Sequence, residues 1–186
     1  MIVGGRVSTH LEGMRPPSRQ LLSVEETFGV NGWHCELVEG REVLRSGFEG
    51  HHTRIDLIAQ VHPQLNALTV VTETPMPLTG PSRPSVFEML MYANKPLTLG
   101  SFEYDIERKM LVFRITNLFE RERYDADIIA SMVHCAIAEL DRLVPYVATI
   151  CQTAPDLLVD LDLERLLERE DLLPTVPEGE LEEEEY

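Results

Sequence analysis

Residues 97–116, LTLGSFEYDIERKMLVFRIT, decide the fold class of this chain. Apolar side chains recur at every second position in both halves of the stretch, at Phe102, Tyr104 and Ile106 and at Leu111, Phe113 and Ile115. This period of two, interrupted by the polar residues 107–109, predicts an antiparallel hairpin with one apolar face. Gly100 lies inside the pattern and indicates a bulge or a close approach of the backbone to a neighbour.

Helical patterns flank the hairpin on both sides. After it, an apolar stripe at helical spacing predicts a long helix from Tyr124 to Val147, with Pro145 kinking it or beginning another turn. Before it, a helix begins at Ser82 or Ser85, and Ser85 with Glu88 fits a capping box. That helix is predicted to end near Asn94, which suits a left-handed stop.

The N-terminal half combines one short helix with strands. Leu21, Val24 and Phe28 share a helical face after Ser18, and four strand-like runs follow between residues 33 and 74, the second of them weaker than the first. In residues 53–61, Ile55, Leu57, Ala59 and Val61 point one way, while Arg54, Asp56 and Gln60 point the other. We summarise the prediction as an α+β fold with an antiparallel sheet flanked by helices, in the order α-β-β-β-α-β-β-α.

This order of elements resembles a known family. Residues 87–119, FEMLMYANKPLTLGSFEYDIERKMLVFRITNLF, followed by a helix that ends AELDRLVPYV at residues 138–147, are similar to the YbjN family. They are most similar to its cyanobacterial branch, which is described as type III secretion chaperone-like. The resemblance covers about residues 18–150. It implies a chaperone-like α+β fold, a dimer and the binding of extended client segments, and it names no catalytic residue.

Charge is distributed unevenly along the chain. Residues 156–186 contain 13 acidic and 2 basic side chains, so they account for −11 of the net −16 and leave −5 for residues 1–155. An acidic body argues against binding to nucleic acid or to anionic membrane surfaces. We therefore expect a flexible arm at residues 1–17, a YbjN-like domain at 18–150 and an acidic, partly disordered segment at 151–186.

The sequence contains few signals that indicate a cellular compartment. Cys35, Cys135 and Cys151 form no CxxC pair or disulfide framework, which indicates a reducing environment. No apolar run suits a signal peptide or approaches the roughly 20 residues that cross a bilayer. We expect a cytoplasmic protein that does not insert into membranes.

Motifs for catalysis are absent from the sequence. It contains no phosphate-binding loop, no GxGxxG, no HExxH and no zinc-module spacing of Cys and His. We therefore expect no enzyme activity, no cofactor and no metal. One alternative stays open, a small-ligand binder or an enzyme that uses His34, Cys35 or His134 in a cleft.

The remaining features favour interaction with proteins. We expect a non-catalytic protein-binding or chaperone-like adaptor, homodimeric, with a protein client that the sequence does not identify. Candidate partner-binding residues are Arg54 and Arg114 on the polar face of the sheet, and Leu163, Leu166 and Leu167 on the leucine face of the acidic segment. A second alternative is a regulatory subunit that acts through this leucine-containing acidic tail.

Overall fold

A computed structural model of the protein describes residues 16–75 and 77–173. Its helices are α1 (Arg19–Val30), α2 (Arg83–Asn94), α3 (Ala126–Gln152) and α4 (Leu163–Leu167). Its strands are β1 (Cys35–Leu37), β2 (Val43–Glu49), β3 (Arg54–His62), β4 (Ala67–Glu73), β5 (Ser101–Asp105) and β6 (Met110–Leu118). All neighbouring strands are antiparallel, in the order β1-β2-β3-β4-β6-β5, which confirms the α+β class.

The summarised order of elements was wrong by one strand. Four strands precede α2, because each of the four strand-like runs forms a strand, and the order up to α3 becomes α-β-β-β-β-α-β-β-α. β1 has only three residues, and Cys35 pairs with Ser46 of β2, which pairs in turn with Leu57 of β3. β1 pairs with β2, and β2 pairs with the longer β3. These two strands therefore depend on pairing with neighbouring strands more than on local β-propensity.

Alternation along β3 divides the sheet into two faces as predicted. Ile55, Leu57, Ala59 and Val61 are all buried in the single apolar core, together with residues of α1, α2 and α3. Arg54 and Gln60 on the opposite face stay exposed, and we call this side the outer face of the sheet. The helices therefore lie against the apolar face, and the outer face offers polar side chains.

The β5–β6 hairpin forms as predicted except at its turn. Phe102 pairs with Phe113, and both side chains are buried. Ile106 was expected on the same face, but β5 ends at Asp105 and Ile106 is 80% exposed in the turn. The Asp105 carboxylate accepts hydrogen bonds from the backbone N–H groups of residues 107 and 108, which bends the chain one residue earlier than alternation implies.

The segment between α2 and β5 brings two backbones into close contact. Gly100 has φ +75°, and a Cβ at this position would lie 2.8 Å from the backbone O of Arg114 and 2.5 Å from Cζ of Phe113, so the expected close approach is confirmed. α2 ends at Asn94, but without a left-handed residue, because its cap Lys95 has φ −57°. The Asn94 amide instead bonds the backbone N–H (2.7 Å) and C=O (3.0 Å) of Phe102.

The α2 helix starts at one of its two predicted caps, whereas α3 ends later than predicted. α2 begins at Arg83, directly after the predicted start Ser82, with Pro84 in its first turn, so the alternative capping box at Ser85 and Glu88 was wrong. α3 continues through Pro145 to Gln152 as one helix. The described part of the acidic segment then folds back, and α4 packs against α2. The expected disorder of the tail and most of the expected N-terminal arm concern residues 174–186 and 1–15, which lie outside the described residues.

Candidate functional site

The three residues of the catalytic alternative occupy different environments. The His134 ring packs edge-on against Trp33, with ring centroids 5.2 Å apart. Cys35 is half-buried against the core, and burial, with a smaller contribution from Glu25, raises the pKa of its thiol. His34 is exposed and lines a shallow concavity on the outer face of the sheet. A raised thiol pKa is the reverse of what an activated nucleophile requires.

The described residues also hold no obvious metal site. Within 16–75 and 77–173, no group of three or more His, Cys, Asp or Glu side chains is placed to hold a metal ion. His51 and His52 pack edge to face in the β2–β3 loop, and the backbone N–H of each donates to the Asp141 carboxylate. The loop histidines therefore belong to a hydrogen-bonded turn.

Ion pairs cover the outer face of the sheet, where Arg54 and Arg114 were predicted to meet a partner. Arg54 Nε lies 3.6 Å from Asp56 Oδ1, and Arg114 Nε donates to Glu103 Oε2 at 2.9 Å. Arg108 forms a two-pronged pair with the buried Glu73, and this hydrogen bonding raises the pKa of Arg108. Both predicted arginines thus already have carboxylate partners within the chain.

The leucine face of the C-terminal segment is occupied by the chain itself. Leu163 and Leu166 are only 7% and 4% exposed and belong to the apolar core, and Leu167 is partly buried beside them. The α4 helix that carries them packs against α2. A partner that bound these leucines would first have to displace α4.

Unequal strand lengths leave a gap at one edge of the sheet. β6 has nine residues, but β5 has five, and their pairing ends where Ser101 meets Arg114. Among the described residues, 115–118 of β6 therefore have no strand partner on this side. We call this segment, Ile115 to Leu118, the β6 notch.

The hydrogen-bond pattern shows which backbone groups face the notch. The Asn94 amide occupies the N–H and C=O of Phe102 on the outer edge of β5, so the Phe102–Phe113 pair exchanges no ladder bonds. Arg114 therefore directs its backbone groups towards β5, and the alternation places Thr116 and Leu118 on the same edge. The notch thus presents backbone donors and acceptors, of which the Leu118 C=O accepts from Asn117 Nδ2.

An apolar groove lies between the notch and the first half of α3. Its volume is about 250 Å³, and its walls include Leu99, Ile115, Ile128, Met132 and Cys135. Leu99 and Ile128 are 64% and 42% exposed, although both are large apolar side chains. Among the described residues, Asp127 is the one charged residue that lines this groove. Exposed apolar surface beside an unpaired strand edge is typical of a protein-binding site.

Sequence reasoning missed the β6 notch because the notch is a difference between two strand lengths. Gly100 was the one available signal, since it marks the point where the chain leaves the sheet. Alternation continues from Phe113 through Ile115 and does not reveal where the partner strand stops.

Comparison with known proteins adds no family assignment. No family model matches the chain, and no curated protein shows significant similarity to it. Within the described ranges, no helix has both the length and the apolar character required to span a membrane.

Proposed function

We propose that this protein is a non-catalytic adaptor or chaperone-like protein that holds an extended segment of a client protein in the β6 notch. The observation that carries the proposal is the unpaired edge of β6 beside an exposed apolar groove. An extended peptide can add a strand to such an edge, where backbone hydrogen bonds supply affinity and the neighbouring groove supplies specificity.

Kinship with the YbjN family and its secretion chaperone-like branch is part of the same proposal. It is supported by the antiparallel sheet with helices on one face and by the hairpin followed by a long helix. The proposal includes a cytoplasmic homodimer. Light scattering coupled to size exclusion tests the dimer, and a monomer at all accessible concentrations would contradict that part.

The decisive variant is Thr116→Pro. Proline removes the N–H that faces the notch, whereas the bonds from β6 to β4 come from residues 115 and 117. We expect Thr116→Pro to fold normally by circular dichroism and to bind its client at least about tenfold more weakly. Affinity capture from a native extract, compared between wild type and variant, measures the loss.

Two further substitutions serve as controls. Thr116→Val keeps the N–H and loses only the hydroxyl contact with Thr69, so it should capture the same proteins as wild type. Asn117→Pro removes an N–H directed towards β4 and should destabilise the whole sheet. If wild type and Thr116→Pro capture identical proteins with equal affinity, or if neither enriches any protein, the proposed function is wrong.

A further inference from the structure

We infer that the segment bound in the β6 notch alternates apolar residues and carries a basic residue that meets Asp127. This inference rests on the proposed function and specifies the chemistry of its ligand. It follows from two features of the groove, its apolar walls and the carboxylate of Asp127.

The apolar requirement follows from the direction of side chains along an added strand. Side chains of a strand in the notch would alternate between the outer face and the side where α3 lies. On the α3 side they would meet Ile115, Ile128 and Met132, in a groove of about 250 Å³. Every second residue of the ligand should therefore be apolar, because a polar side chain there would lose its water without gaining a partner.

The basic residue follows from the charges around the groove. Asp127 is exposed and has no ion pair among the described residues. Arg123, which lines a second pocket together with Asp127, pairs with Glu26, and Arg114 of β6 pairs with Glu103. A Lys or Arg on the ligand would complement this carboxylate, and the net charge of −16 would attract it at longer range.

A second copy of this chain fits the notch less well than such a peptide. Residues 115–118, Ile-Thr-Asn-Leu, contain no cation, so two notches paired edge to edge would offer none to Asp127. A symmetric contact at this site would also bring the two Asp127 carboxylates towards each other, in subunits of the same net charge of −16. Charge complementarity therefore favours a different, basic polypeptide.

Two matched probe peptides test the inference on the full-length protein. One is acetyl-Lys-Thr-Val-Thr-Val-Thr-Lys-amide, whose Lys and Val side chains lie on the same side of an added strand, and the other has Glu in place of both Lys residues. We expect the basic peptide to bind at least about threefold more tightly, since an exposed ion pair contributes modestly. Asp127→Asn should reduce that preference, whereas Asp156→Asn, the same charge change at an exposed position outside the groove, should leave it near the wild-type value.

Cysteine alkylation reports where the peptide binds. Cys135 lines the groove and Cys151 is exposed elsewhere, so the bound peptide should slow alkylation of Cys135 and leave Cys151 unchanged. Equal binding of both peptides, with Cys135 protected, would overturn the inference and leave the proposed function intact. Failure of both peptides to bind or to protect Cys135 would overturn the inference, and unchanged client capture by Thr116→Pro would then show that the proposed function fails too.

A second copy as the occupant is a separate outcome. Protection of Cys135 that rises with protein concentration and is lost in Thr116→Pro, without added peptide, would identify the β6 notch as a self-association edge. That result would overturn the inference of a basic ligand.

Discussion

Single residues hold distant parts of this molecule together, and Asp141 is the clearest case. Its carboxylate on α3 accepts hydrogen bonds from the backbone N–H groups of His51 and His52 in the β2–β3 loop, both at 2.9 Å. Gly50 permits this contact, because a Cβ there would lie 2.4 Å from Asp141 Oδ1. The loop thus depends on one helical side chain and on one residue without a side chain.

Replacing Asp141 by Ala should lower the free energy of unfolding by about 2 kcal/mol, because the loop N–H groups lose a charged acceptor. Urea denaturation measures the change, and Asp156→Ala, at an exposed position, is the matched control. Gly50→Ala should also destabilise the wild type. It should cost less in the Asp141→Ala background, since the contact with Thr53 O at 2.7 Å then remains without the carboxylate clash. If the effects of Gly50→Ala and Asp141→Ala on the free energy of unfolding are strictly additive, this account of the loop is wrong.

Tyr124 makes the free energy of unfolding depend on pH in the alkaline range. Burial, and to a smaller extent Glu42, raises the pKa of Tyr124 to about 12, and its hydroxyl donates to the Ala67 C=O at 3.2 Å. In the unfolded chain the phenol ionises near its ordinary pKa of 10.0, so unfolding releases a proton only above that pH. The contribution of Tyr124 is therefore complete below pH 10 and is lost as the pH rises towards 12.

We expect the loss to approach roughly 2 kcal/mol at the upper end of this range. Urea midpoints measured across the range should show it, together with phenolate absorbance. Tyr124→Phe should be slightly less stable at neutral pH and should have a flatter alkaline profile. An unchanged profile in Tyr124→Phe would assign the alkaline transition to other groups.

At the scale of elements, α4 belongs to the folded body although the sequence grouped it with the acidic tail. Leu163 and Leu166 are buried in the core, and Tyr146 of α3 donates its hydroxyl to the Arg169 C=O just beyond α4. Deleting residues 156–186 to test a tail ligand would therefore remove part of the core. Loss of binding in that deletion would report damage to the fold as readily as loss of a ligand.

Leu166→Ala should lower the free energy of unfolding by about 2–3 kcal/mol, because it opens a cavity between α4 and its neighbours. Leu167→Ala, at a partly buried position of the same helix, should cost less. Thermal or urea denaturation distinguishes the two. Equal, small effects would mean that α4 is detached in solution, and its leucines would then be accessible to a partner.

The elements also show how far sequence reasoning extends. Alternation predicted both faces of β3 and the buried positions Phe102, Leu111 and Phe113 of the hairpin, because these depend on neighbouring residues. The end of β5 depends on the Asp105 turn and on the Asn94 amide, and β1 depends on a partner strand. Such contacts between distant residues leave no local period. The β6 notch, which arises where β5 stops, could not be predicted for the same reason.

At the scale of the whole molecule, charge and shape act on the same ligand in different ways. The groove beside the β6 notch is mainly apolar, so the free energy that apolar contacts with the ligand contribute should depend little on salt. The net charge of −16 acts over longer distances and is screened by ions. Residues 174–186 contribute six acidic side chains and no basic residue to this net charge.

This separation predicts how the basic probe peptide responds to salt and to truncation. Raising NaCl from about 0.05 M to about 0.5 M should weaken its binding severalfold, mainly by slowing association, because screening shortens the range of attraction. Deleting residues 174–186, which reduces the net charge from −16 to −10, should slow association at low salt and leave dissociation nearly unchanged. Stopped-flow fluorescence measures both rates. A deletion that instead speeds dissociation would place the acidic residues in direct contact with the bound peptide, and charge at a distance would no longer explain the preference.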